Sequence, residues 1–125
     1  MIIVSRVILW VLVMPLLAVA DDAARQPVSF SASIAPLLVE NCQGCHGTKK
    51  AEGSYRVDSF EFAIGEGDSE LPGFVGGNPE DSEAFRRILS DDPGERMPLD
   101  RKKLSTAQIE LLRRWIDEGA MFDGD

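Results

Sequence analysis

Cys42-Gln43-Gly44-Cys45-His46-Gly47 is the stretch on which the reading of this chain turns. Two thiols stand three positions apart, with a histidine directly after the second, which is the arrangement that fixes a c-type haem to protein. The chemistry explains the spacing. Each sulfur adds to one of two vinyl groups on adjacent pyrrole rings, and two intervening residues form a single turn as wide as the gap between those vinyls. His46, next to Cys45, then presents its imidazole to the iron from the same side. Gly44 and Gly47 lack a Cβ, so the backbone can lie close to the porphyrin and bend away from it. The expectation is one covalent haem c on Cys42 and Cys45 with His46 as an axial iron ligand.

Other chemistries of the same residues fare worse. A zinc site takes four protein ligands, or three and a water, and the chain has only two cysteines and one histidine. A thioredoxin-like redox pair wants a strand before the motif within a βαβ unit, whereas the residues before Cys42 carry a helical pattern. A Cys42–Cys45 disulfide would close a loop too short to restrict the unfolded chain much.

The N-terminus supplies a matching compartment. Met1 to Arg6 is a short basic lead, Val7 to Leu17 is apolar, and Ala18-Val19-Ala20 is a small-x-small cleavage site. Residues 1–20 read as a secretory signal peptide cut near Ala20, since an uncleaved membrane anchor needs about twenty apolar residues and this run is shorter. Covalent haem attachment of this type takes place outside the bacterial cytoplasmic membrane, so the mature protein is expected in the periplasm or otherwise exported. Without Arg6 the balance is 12 Lys and Arg against 21 Asp and Glu, a formal charge of −9. Such a surface repels nucleic acid and anionic lipid and steers toward basic redox partner proteins, although acidity also serves simple solubility.

Residues 21–29 are polar, contain Pro27 and read as a flexible lead-in. Residues 30–122 form the folded domain. Phe30, Ile34, Leu37, Leu38 and Asn41-Cys42 recur at helical spacing. Pro36 fits only in the first turn, which makes Ser33, or Ser31, the expected N-cap and leaves Phe30 just outside. Residues 53–58 alternate weakly and suggest a short extended segment. Phe60, Phe62, Ala63 and Ile64 suggest one or two helical turns ended by Gly65. Residues 65–79 hold five glycines and two prolines, a long loop of the kind that wraps a ligand. A third helix begins near Asp81 or Ser82, with Phe85, Ile88 and Leu89 on one stripe, and stops at Asp91-Asp92-Pro93-Gly94.

The last helix is the clearest. Ser105-Thr106-Ala107-Gln108 is a capping box, and Leu104 with Ile109 forms its hydrophobic staple. Ile109, Leu112, Trp115, Ile116 and Ala120 line one face, and Gly119 ends it. The fold class is all-α, with three to four short helices and long loops around one haem. So small a core is marginal without a cofactor.

Beyond the signal segment only Met97 and Met121 remain as methionines, so the second axial ligand is Met, Lys or water. Met97 is favoured: it is far enough from His46 to return over the opposite haem face, it sits in a loop braced by Pro98, and it precedes the closing helix. Met121 follows that helix, and Lys49 and Lys50 are too near His46 to reach round the plate. A thioether opposite imidazole raises the reduction potential and fills both axial sites. Arg56 and Arg96 are candidate partners for haem propionates, and Trp115 could add its indole N–H.

Together these residues resemble the planctomycete-type cytochrome c domain, within the class I cytochrome c fold. The carriers are Cys42 through Gly47, residues 53–59, Gly77-Asn78-Pro79 with Ser82, Arg96-Met97-Pro98, and Trp115 through Ala120. The resemblance covers about Phe30 to Ala120. It implies His46 and Met97 as axial ligands and packed N- and C-terminal helices. The chain departs from the family pattern at Leu99, where a second proline is common, and at Tyr55 and Val57, where leucines are commoner. The function that follows is single-haem electron transfer rather than catalysis. The alternative is a haem-based sensor in which a small gas displaces Met97. A peroxidase is disfavoured because no distal histidine or spare acid-base group is visible.

Overall fold

The computed structural model describes residues 26–124; the expected signal segment and its cleavage site lie outside them. Among the described residues there are four α-helices and no strand: α1 (Ala35–Asn41), α2 (Phe60–Ile64), α3 (Glu83–Leu89) and α4 (Thr106–Asp117). Single 3₁₀ turns at Glu52–Ser54 and Pro79–Asp81 punctuate the loops. No helix of this set is long and apolar enough to cross a membrane.

The first helix starts a turn earlier than its sequence suggests. A π turn over Phe30–Ile34 runs directly into α1, and its N-cap is Ser29, not Ser31 or Ser33; the Ser29 side chain accepts from the Ala32 N–H. Phe30 is therefore inside the helix and buried. Pro36 accounts for the wide turn. It has no N–H to give to Ala32, and its ring would collide with that carbonyl in a regular α-helix. The N–H of Ala35 instead reaches back to the Phe30 carbonyl, the longer π register.

At the other end, α4 keeps the expected capping box: the Ser105 side chain accepts from Gln108 N–H at 3.2 Å, and Gln108 Oε1 accepts from Ser105 N–H at 2.9 Å. The helix closes in a Schellman motif. Gly119, at φ +109°, gives its N–H to Ile116, and Ala120 gives its own to Trp115, both at 2.9 Å. These two helices meet over Phe30 and Trp115, whose rings lie 5.5 Å apart. Phe74 meets Trp115 edge-on from the loop side, also at 5.5 Å. Ile34, Leu38, Phe85, Leu112 and Ile116 complete the core. Gln26 and Val28 are bonded to the end of α4, through the Arg114 guanidinium and the Glu118 carboxylate.

Ser82 caps α3 by position, yet its hydroxyl turns away from the helix. It is fully buried, donates to the Asn78 carbonyl at 2.9 Å and accepts from Val75 N–H at 2.8 Å. The first N–H groups of α3 go instead to the loop before it, Glu83 to Pro72 and Ala84 to Gly73. Leu89, on the expected apolar stripe, is exposed. In this way the 65–79 loop is sewn to α3, and both wall the space described next.

Candidate haem-binding site

A cavity of about 710 Å³ opens between α1, the 65–73 loop, α3 and the segment after Met97. That is a size suited to a cofactor. Cys42, Cys45, His46 and Met97 all line it. Leu38, Val57, Phe74 and Ile88 give it apolar walls.

Cys42 closes α1, with its N–H on the Leu38 carbonyl at 2.8 Å. The chain then makes one tight turn: the N–H groups of both Cys45 and His46 fold back onto the Cys42 carbonyl, at 3.1 and 3.0 Å. Both cysteines are free thiols, Cys45 exposed and Cys42 half-buried. Burial pushes the Cys42 thiol up to about 11. Gly47 has a more local reason than approach to a porphyrin. A Cβ there would stand 2.6 Å from the Gln43 carbonyl oxygen, whereas nothing crowds Gly44.

His46 is held from two sides. Its carbonyl accepts from Val57 N–H at 2.8 Å, and its Nδ1 lies 3.1 Å from the Tyr55 carbonyl oxygen. A carbonyl can only accept, so Nδ1 carries the proton and Nε2 keeps its lone pair for a metal. This is how ligating histidines are commonly oriented. Met97, which lines the same cavity, is fixed through its backbone, its N–H donating to the Arg87 carbonyl at 3.0 Å, and the following Pro98 is buried. Met121 is 68 % exposed and does not line the cavity. Among the described residues no cluster of three or more His, Cys, Asp or Glu could hold a metal ion. The side chains brought to this cavity, two thiols, an imidazole with a free Nε2 and a thioether, are groups that would suit a haem c.

The family model described as Planctomycete cytochrome C matches residues 42–100. This segment is a planctomycete-type cytochrome c domain. The match spans the haem motif, the 65–79 loop, α3 and Met97, so a haem-based function follows. No curated protein and no solved structure gives a match.

Within the cytochrome domain and its closing helix, the other sequence-predicted residues are placed away from the cavity. Arg56 forms a bidentate pair with Asp58 and lies 4.1 Å over the Phe62 ring. Trp115 gives its indole N–H to the Met121 carbonyl at 3.0 Å. Arg96 does not line the cavity either, but its Nε is buried without a partner. The residue that sequence reasoning missed is Tyr55. Its role as the acceptor for His46 belongs to its backbone, which no side-chain pattern reports. The weak alternation over residues 53–58 was the one available signal.

Proposed function

We propose that this chain is an exported, single-haem c-type cytochrome that transfers electrons. Cys42 and Cys45 hold the haem as thioethers, His46 and Met97 are its axial ligands, and the mature protein works in the periplasm or an equivalent exported space after cleavage near Ala20. When bound, the haem supplies a one-electron ferric/ferrous couple. The protein's part is to hold that couple in an apolar cavity, to keep His46 in one tautomer, and to fill the remaining axial position with Met97. A filled axial position leaves no place for a substrate, so transfer is favoured over catalysis, and the acidic surface suits a basic redox partner.

The observation that carries this reading is the placement of Met97 on the same cavity as Cys42, Cys45 and His46, with its loop tied to α3. Purified holo-protein, titrated between oxidation states with spectra at each step, tests it. Low-spin spectra throughout, a sulfur-to-iron charge-transfer band in the ferric form and a high midpoint potential are expected. Ready carbon monoxide binding by the reduced wild type would overturn it in favour of a gas-binding module.

A further inference from the structure

We infer that the phenol of Tyr55 is the positioning group that sets the strength of the His46 hydrogen bond, and through it the reduction potential. The inference rests on His46 being the iron ligand. Tyr55 makes two hydrogen bonds at once: its carbonyl oxygen accepts from the His46 Nδ1–H at 3.1 Å, and its hydroxyl donates to the Ala63 carbonyl in α2 at 2.6 Å. The ring stands edge-on to the imidazole, 5.5 Å between centroids and 64° between planes.

The surrounding backbone is shaped to that phenol. A Cβ on Gly73 would lie 2.1 Å from the Tyr55 hydroxyl oxygen and 2.3 Å from the Ala63 carbonyl, so Gly73 leaves the socket into which the hydroxyl fits. A Cβ on Gly67 would lie 2.9 Å from the Tyr55 Cβ. Gly73 is itself tied back to Gly65 at 2.8 Å, and Asp68 to Gly53 at 2.7 Å. The 65–73 loop thus clamps the side chain while α2 accepts its hydrogen bond. The acceptor is a carbonyl, which cannot take up a proton, so the phenol acts as a fixed strut and not as a proton relay.

The consequence for iron is electronic. A strong bond from Nδ1–H gives the imidazole more anionic character and makes Nε2 a better donor, which favours ferric iron. Loss of the hydroxyl frees the Tyr55 backbone to drift and leaves the Ala63 carbonyl unpaired. The Nδ1 bond then weakens and the ferrous form gains.

The chain has one tyrosine and one histidine, so each can be labelled selectively. The test compares wild-type holo-protein with Tyr55→Phe by redox titration and by exchange of the ¹⁵N-labelled His46 Nδ1 proton. At a fixed ambient potential Tyr55→Phe should raise the ferrous-to-ferric ratio at least threefold, about 28 mV at 59 mV per decade for one electron. Proton exchange should quicken with it. Ile116→Val, which weakens the core without lining the cavity, should move neither. Wild-type potential and exchange in Tyr55→Phe, or an equal response in Ile116→Val, overturns the inference.

If Tyr55→Phe does not retain haem, incorporation of 3-fluorotyrosine alters Tyr55 alone. The more acidic phenol is a stronger donor, so the ratio should fall and exchange should slow; no change in either overturns the inference. A His46 resonance that ignores the iron oxidation state in the wild type would remove the ligand assignment itself, and the inference with it. An iron-sensitive His46 with an unmoved potential removes only the role of Tyr55.

Discussion

The backbone N–H of Met97 is bound to the carbonyl of Arg87 at 3.0 Å, so the methionine loop hangs from the last turn of α3. The 65–73 loop is bonded to the first turn of the same helix, Pro72 to Glu83 and Gly73 to Ala84. One short helix therefore carries both the thioether side of the cavity and the loop that braces Tyr55.

That arrangement would hold Met97 in place as the proposed second iron ligand. Met97→Ala is expected to abolish the sulfur-to-iron charge-transfer band, to lower the midpoint potential and to let the reduced form bind carbon monoxide. Met121→Ala, at an exposed position outside the cavity, should leave all three unchanged. Absorption spectra and redox titration of the two variants side by side decide it. A band that survives Met97→Ala would count against thioether ligation.

Features encoded by neighbours in sequence were legible, and those that depend on distant contacts were not. The α4 capping box lies within four residues and stands in the structure as its sequence predicts, and Cys42, Cys45 and His46, also near neighbours, line one cavity. Placing Pro36 in a first α turn points to Ser31 or Ser33 as the N-cap, whereas a π turn accommodates the proline and moves the cap to Ser29. Arg56 was legible in hindsight. It stands two residues from Asp58, and on an extended segment such neighbours share a face. Ser82, Tyr55 and Gly73 draw their roles from partners several residues or a whole loop away, which composition and periodicity do not report.

The core is small for the cavity it encloses. Only short helices and their loops contribute to it, and domains of this size bury too little apolar surface to leave such a cavity unfilled at little cost. Cys42→Ala/Cys45→Ala protein made without haem is therefore expected to be largely unfolded, and far-UV circular dichroism reads this directly. Helicity equal to that of the holo-protein would show that the helices stand without the cofactor.

Ser82 offers a test of the loop that borders the cavity. Ser82→Ala removes a donor to Asn78 and takes from the Val75 N–H an acceptor supplied by a fully buried side chain. A buried orphan of this kind costs about 1–3 kcal/mol. Urea unfolding of the holo-protein should show a loss in that range with an unchanged slope. A loss below about 0.5 kcal/mol, the usual effect of a surface substitution, would mean that the Val75–Ser82 contact contributes little.

The two ends of the described chain are joined by carboxylates, and this sets an acid limit on the junction. Glu118 accepts from Val28 N–H at 2.6 Å and from the Arg114 guanidinium at 2.8 Å; Asp123 accepts from Ser31 N–H at 2.8 Å. The Val28 N–H, aided by Arg114, holds Glu118 below its ordinary value of 4.5. The hydroxyl of Ser29 and the N–H of Ser31 hold Asp123 below its ordinary value of 3.8. A carboxyl whose folded value is depressed stabilises the fold above its unfolded value and loses that contribution as pH falls through the folded one. The contacts should therefore be intact at neutral pH and release below about pH 4. Because Ser29 caps the first helix and Phe30 packs on Trp115, the first helical turn should loosen together with Val28. Amide chemical shifts of Val28 and Ser31, followed from pH 6 to pH 2.5, should titrate with midpoints under those ordinary values. In Glu118→Gln the Val28 shift should no longer respond, while Ser31 continues to follow Asp123. A Val28 midpoint at or above 4.5 in the wild type would show that the Glu118 contact is not formed in solution.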